Sequence, residues 1–202
     1  MIFFRYSYWN VFLLLGIERA IPNLIHQTYK NYTLPENWEK MHRTWKRLVK
    51  RSQKLERERV SAVKDLQKKG HPIEDDELLF RRDYELKFWT DEDCLELIQI
   101  KFPWFLETYE NYPHFIQRVD SCRYFILYEY GGYYVDLDVG VKNYTVASKF
   151  WRRIAERTTL ALQKTKPWGF SNDFMASQAK HPFFLELITN LENYKSGWYS
   201  LI

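Results

Sequence analysis

Residues 118–140 read RVDSCRYFILYEYGGYYVDLDVG, and this stretch constrains the fold more than any other in the chain. Val119, Cys122, Ile126 and Tyr130 recur at steps of three and four, the spacing of one helical stripe, so Phe115 to Tyr130 is expected as a helix. Gly131-Gly132 ends it and permits a tight turn. An aromatic strand, Tyr133 to Asp138, follows and runs out in Asp136-Leu137-Asp138. A helix that turns directly into a strand is a building unit of layered α/β domains.

The rest of the chain repeats that alternation. Leu24 to Tyr29 reads as a short strand after the Ile21-Pro22 break, and Tyr84 to Trp89 alternates with period two. Thr90 with Asp93 forms a capping-box pattern that opens a helix to about Gln99. Phe102 to Phe105 begins a short helix, and Gly169 to Ala176 holds a strand-like run. Pro182 opens a last helix with Phe183, Phe184, Leu187, Ile188 and Leu191 on its apolar side. The 202 residues fit one domain, and a composition 46% hydrophobic and 18% aromatic excludes a disordered chain.

Charge is unevenly distributed. The net charge is +4, yet residues 40–69 hold twelve basic and three acidic residues, so this segment is +9 and the remainder −5. Trp38, Met41, Trp45, Leu48, Ser52, Leu55, Arg59, Ala62 and Leu66 make one helical stripe through it, ended by Gly70-His71-Pro72. Polar Ser52 and Arg59 on that stripe predict a middle that packs poorly or projects. The helix is either a solvated basic face or a contact for anionic lipid heads or an acidic partner. An acidic body and the lack of a reading motif argue against nucleic acid as a partner. The apolar stretch 1–20 reads as a signal core, an anchor remnant or a docked segment; its run Val11 to Ile17 is shorter than the roughly 20 residues that cross a bilayer. Cys94 and Cys122, outside any CxxC pattern, are expected as buried thiols, with a single disulfide as the alternative. The sequons at Asn31 and Asn143 matter only in a secretory lumen.

On a strand, positions i and i+2 share a side, which would place Asp136 and Asp138 about 6–7 Å apart. Like charges so placed call for a cation, and Mg²⁺ or Mn²⁺ takes carboxylates together with phosphate oxygens. Asp120 and Arg123, three apart on the preceding helix, can pair on one face. Alone, the Asp-x-Asp pair is a weak signal and reads more readily as a solvated turn.

Several blocks in order make the pattern specific. RVDSCRYFILYEYGGYYVDLDVG is similar to the signature of the DXD-containing sugar transferases. IPNLIHQTYK, YELKFWTDEDC, FPWFLETYENY and GFSNDFMASQAKHPFFLELITNLENY resemble further blocks of the fungal inositol phosphorylceramide mannosyltransferases, the catalytic subunits of mannosyl-inositol-phosphorylceramide synthase. The resemblance covers residues 21–40 and about 83–198.

It implies a GT-A (Rossmann-like, nucleotide-sugar-binding) α/β fold with a long basic helix inserted at about 40–70. It also implies a retaining, metal-dependent transfer of mannose from GDP-mannose to inositol phosphorylceramide. By the same resemblance Asp136 and Asp138 bind Mn²⁺ (or Mg²⁺), and Asp136 also binds the donor. Asp120 and Arg123 contact the donor sugar and diphosphate, Ile25, His26 and Gln27 lie near the nucleotide, and Asp120, Asn172 and Asp173 form the catalytic set. His26 can equally be a buried strand histidine, His181 a helix cap, and Tyr124 and Trp168 core aromatics. A Golgi location and a membrane-embedded regulatory subunit are implied as well. The family pattern continues into a Thr-Gly-Pro stretch and a later Trp-His that closes the metal site. Neither occurs by Ile202, so the domain is expected to be incomplete at its C-terminus. Alternatives are an α-1,6-mannosyltransferase-like enzyme on N-glycans and a non-catalytic remnant that binds donor or partner.

Overall fold

A computed structural model describes residues 21–71, 83–167 and 169–194. The N-terminal stretch 1–20, the Asp/Glu patch at 74–77 and Trp168 lie outside these residues. Five strands form one sheet: β1 (Leu24–Thr28), β2 (Glu85–Trp89), β3 (Gly132–Val135), β4 (Leu160–Lys164) and β5 (Phe170–Ser177), in the order β2-β1-β3-β5-β4. β1 runs parallel to both β2 and β3, whereas β5 is antiparallel to β3 and β4 antiparallel to β5.

Helices cover both faces of this mixed sheet, an architecture consistent with the expected GT-A-like domain. On one face lie α1 (Glu36–Lys68) and, later in the chain, Tyr144–Arg157. On the other lie α2 (Asp91–Lys101), α3 (Leu106–Glu110), α4 (Phe115–Tyr130) and a last helix, Pro182–Asn190. In chain order the helix Tyr144–Arg157 is α5 and Pro182–Asn190 is α6. β3 sorts the two cores by strand alternation. Tyr133 and Val135 join Trp45, Leu48 and Trp151 under α1 and α5, while Tyr134 joins Phe125, Leu127 and Phe184 under α4 and α6. Trp151 stacks between Trp45 at 5.1 Å and Tyr133 at 4.4 Å, which fixes both helices to the central strand.

The glycine turn is sterically required. Gly132 has φ +98°, and a Cβ there would lie 2.4 Å from the Leu24 carbonyl oxygen of β1. Only glycine lets β3 approach β1 so closely.

Four expectations need correction. β3 ends at Val135, not at Asp138: the Asp136 amide still bonds the Asp173 carbonyl at 2.9 Å, but the Val139 amide then turns back to the Asp136 carbonyl at 3.1 Å. Leu137 therefore enters the core and Asp138 stands exposed, so the two carboxylates do not share a strand face. The α1 stripe holds through Trp45, Leu48 and Ser52, after which Leu55 and Leu66 are exposed and Val63 is buried. A strict 3.5-residue repeat drifts on a straight helix of 3.6 residues per turn, and the inward position moves to Glu56, Arg59 and Val63. Ser52 does not weaken the packing: it is buried, donates to the Val49 carbonyl at 2.8 Å and accepts the Tyr84 amide at 3.0 Å. Finally, Cys94 and Cys122 are not separate thiols. They form a disulfide that ties α2 to α4 with a Cα separation of 5.9 Å. Closing a loop between residues 28 apart removes conformations from the unfolded chain, a stabilisation of about 2–4 kcal/mol.

Candidate functional site

β1 and β3 are parallel neighbours, and β2 flanks β1 on the other side. The carboxyl ends of β1 and β3 therefore lie side by side at one edge of the sheet, the edge at which α/β sheets bind ligands. α4 delivers Asp120 and Arg123 to this edge, β3 delivers Asp136 just beyond its end, and β5 delivers Asn172 and Asp173.

Arg123 is the centre of the cluster. It is only 7% exposed. Its Nη2 lies 3.1 Å from Asp120 and 3.3 Å from Asp136 Oδ1. Its Nη1 donates to Asp136 Oδ2 at 3.4 Å and to the Asn172 carbonyl at 3.3 Å. The guanidinium sits 5.1 Å from the centre of the Tyr134 ring. The Tyr134 hydroxyl donates to Asp136 Oδ1 at 2.9 Å and is met by Thr28 Oγ1 at 2.8 Å. Asn172 Nδ2 donates to the Tyr124 hydroxyl at 3.3 Å, and its side chain also bonds Asp120. Asp173 accepts from Ser171 Oγ.

The electrostatics are unbalanced. Burial raises the carboxyls of Asp120 and Asp136 above the usual range, although Arg123 pulls both down. Burial lowers the Arg123 guanidinium, but Tyr134, Asp136 and Asp120 outweigh it and raise the group. One cation shared by two half-buried carboxylates leaves one negative charge uncompensated. Exposed Asp138 adds another beside it and raises Asp136 further. Among the described residues no group of three or more His, Cys, Asp or Glu side chains gathers as a metal cluster. The donor set nevertheless fits a hard divalent cation. Such an ion needs only one or two carboxylates when phosphate oxygens and water complete its shell. Both oxygens of Asp136 are engaged by Arg123 and Tyr134, whereas Asp138 faces solvent.

The three β1 residues separate. Ile25 is buried in the core between the sheet and α1. His26 is fully buried: Nε2–H donates to the Gly131 carbonyl at 2.8 Å and Nδ1 accepts from Trp89 Nε1 at 3.1 Å. Both ring nitrogens are thus spent on holding the glycine turn and β2, and burial lowers its pKa to about 4. Gln27 is also buried. Its Oε1 accepts from His42 Nδ1 at 2.6 Å, but its Nε2 is buried without a partner. His181 caps α6, its Nδ1 accepting the Phe183 amide at 3.1 Å. Tyr124 is buried, and burial raises its hydroxyl to about 12. The sequence pattern does not single out Thr28 or Ser171 and gives Tyr134 no role. For Tyr134 a signal exists: it precedes Asp136 by two residues in the Asp-x-Asp stretch.

The family described as the glycosyltransferase sugar-binding region containing a DXD motif matches residues 35–158. A mannosyl phosphorylinositol ceramide synthase of Saccharomyces cerevisiae is 39% identical over 90% of this chain, and a second synthase of that yeast is 37% identical over 90%. An inositol phosphoceramide mannosyltransferase of Schizosaccharomyces pombe is 31% identical over 92%. The chain spans 38%, 37% and 47% of the lengths of these three relatives. Asp120, Arg123, Asp136 and Asp138 all lie within the matched span, and the chain belongs to the family of glycosyltransferase sugar-binding regions that contain a DXD motif.

Proposed function

We propose that this chain carries the donor site of a retaining, metal-dependent mannosyltransferase that takes mannose from GDP-mannose and passes it to inositol phosphorylceramide at a Golgi membrane. One observation carries the reading. At the carboxyl edge of the sheet, Arg123 binds Asp120, Asp136 and the Asn172 carbonyl together, with exposed Asp138 beside them. The similarity to fungal proteins named for inositol phosphoceramide mannosylation supports the choice of transferred sugar and acceptor. It also favours this acceptor over an N-glycan. No helix among the described residues is long and apolar enough to cross a membrane.

In this reading Asp138 is the direct ligand of Mn²⁺ or Mg²⁺, and Asp136 completes the clamp from the buried side. When bound, the ion would act as a Lewis acid that offsets charge on the leaving diphosphate. The chain's own residues orient the donor. Arg123 keeps Asp136 ionised and in place, and its buried positive charge offsets part of the negative charge that the diphosphate brings. Asp120, positioned by Arg123 and Asn172, addresses the sugar hydroxyls. Asn172 and Asp173, fixed on β5 through Tyr124 and Ser171, face the transferred mannose. Gln27 offers its unspent Nε2 to the nucleotide, and Ile25 and His26 serve by anchoring β1 beneath it. The long basic helix, α1, is read as an addition to the family's shorter connection.

Asp138→Ala tests this assignment. Titrating Mn²⁺ against chain held with GDP-mannose should show metal-dependent donor binding in the wild type and a loss of about tenfold or more in the variant. Because Asp138 is exposed, the fold should be unchanged. Equal metal dependence in both proteins would remove Asp138 from the metal site.

A further inference from the structure

The two helical layers carry opposite charge. On one face of the sheet, α1 and α5 together hold fifteen Lys and Arg against six Asp and Glu, a balance of +9. On the other, α2, α3, α4 and α6 hold nine acidic residues against three basic ones, a balance of −6. The fold therefore converts a basic stretch of sequence into one strongly positive side of the molecule.

α5 adds a second feature to that side. Its inward stripe, Tyr144, Ala147, Trp151 and Ile154, packs on the sheet core. Its outward stripe carries Val146 at 64% and Phe150 at 52% exposure, with exposed Lys149 and Arg153 alongside. The Arg51 guanidinium of α1 lies 4.6 Å from the centre of the Tyr144 ring and Trp45 stacks on Trp151, so the two helices lie side by side on this face of the sheet.

We propose that the α1/α5 face docks on an anionic lipid surface. Val146 and Phe150 enter the boundary between headgroups and hydrocarbon, and Lys149, Arg153 and Arg51 lie on the lipid phosphates. Cations interleaved with exposed apolar side chains match such a surface, which offers negative charge and hydrocarbon within one side-chain length. A nucleic acid or an acidic protein segment would satisfy the cations but leave both apolar side chains in water. The geometry also orients the site. The loop from Asp138 into α5 is fastened to α1, where Trp45 Nε1 donates to the Val139 carbonyl at 2.8 Å and Thr44 Oγ1 accepts the Val141 amide at 2.8 Å. Docking this face holds the carboxyl edge of the sheet beside the lipid.

The test uses the full chain without donor, so it reads independently of the transferase assignment. Co-sedimentation is measured with phosphatidylcholine vesicles and with the same vesicles containing phosphatidylserine. The wild type should bind the phosphatidylserine vesicles, and added salt should weaken binding. Lys149→Glu with Arg153→Glu should lower the partition about tenfold or more. Val146→Ser with Phe150→Ser should lower it about tenfold on vesicles while leaving binding to heparin unchanged. All four side chains are exposed, and circular dichroism checks that the variants keep the fold. Equal partition of the wild type and the charge-reversed variant would overturn the proposal. So would heparin binding as tight as vesicle binding with no effect of the serine pair, which would assign the face to a polyanion.

Discussion

Arg123→Ala should weaken GDP-mannose binding by about a hundredfold or more and destabilise the fold by about 3–5 kcal/mol, the cost of stripping a buried ion cluster of its one cation. The Arg123 side chain is 9% exposed, and among the described residues it is the cation paired with both Asp120 and Asp136, whose carboxyls burial already raises. Without it the two carboxylates face each other across the space it filled, and the Asn172 carbonyl loses a donor. Arg123→Lys separates charge from geometry. A single ammonium can offset the charge but cannot bond Asp120, both oxygens of Asp136 and the Asn172 carbonyl from a planar fork. It should recover most of the stability and little of the donor affinity. Urea unfolding and donor titration on the three proteins measure both quantities. A fold equally stable in Arg123→Ala would show that Arg123 does not hold the cluster together.

Lowering the pH should cost the protein about 3 kcal/mol through His26 alone, since each pH unit between the folded and unfolded pKa is worth about 1.4 kcal/mol. Its folded pKa of about 4 lies below the ordinary 6.5 because the ring is fully buried, with Lys87 adding to the depression. The unfolded chain takes up a proton below pH 6.5 and the folded chain does not. The stabilisation is therefore complete above that value and is lost as the pH falls towards 4. Burial lowers His42 and His181 in the same direction, whereas Asp120 and Asp136, raised by burial, act in the opposite sense. His26→Gln isolates the contribution of His26, because its amide can still donate to the Gly131 carbonyl but does not titrate. Between neutral pH and about pH 4.5 the wild type should lose about 2–3 kcal/mol more than the variant. Parallel losses would mean that His26 is not the acid-sensitive bolt between β1, β2 and the glycine turn.

Local signals carry well from sequence into structure. The capping box forms with both bonds, Thr90 Oγ1 accepting the Asp93 amide at 3.1 Å and Asp93 accepting the Thr90 amide at 2.7 Å. α4 spans the expected Phe115–Tyr130, and the Asp120–Arg123 pair lies on it at 3.1 Å. These features depend on neighbours within a turn, which the sequence states directly.

Features that depend on distant partners are not legible in the same way. The disulfide needs α2 to lie against α4, and nothing in the spacing of Cys94 and Cys122 specifies that. β4 leaves little trace because Leu160–Lys164 is a partly exposed edge strand with a polar end, paired only to β5. α5 is an exception, because Tyr144, Ala147, Trp151 and Ile154 recur at helical steps behind the Asn143 cap and do mark a helix in the sequence. The coupling of Arg123 to Asp136 joins residues 13 apart across the glycine turn. The sequence suggests the two carboxylates as a pair; the fold divides them, one held by Arg123 and Tyr134 and the other left to solvent.

If this divided pair and its arginine form a nucleotide-sugar site for GDP-mannose, binding of the donor must depend on both the base and the ion. Calorimetric titration of the wild-type chain with GDP-mannose and with UDP-glucose, each with and without Mn²⁺, reads both at once. Saturable binding of GDP-mannose that requires Mn²⁺ and exceeds that of UDP-glucose by about tenfold or more is expected. Binding of neither nucleotide sugar with Mn²⁺ present, or equal binding of GDP-mannose with the ion removed, would contradict the assignment.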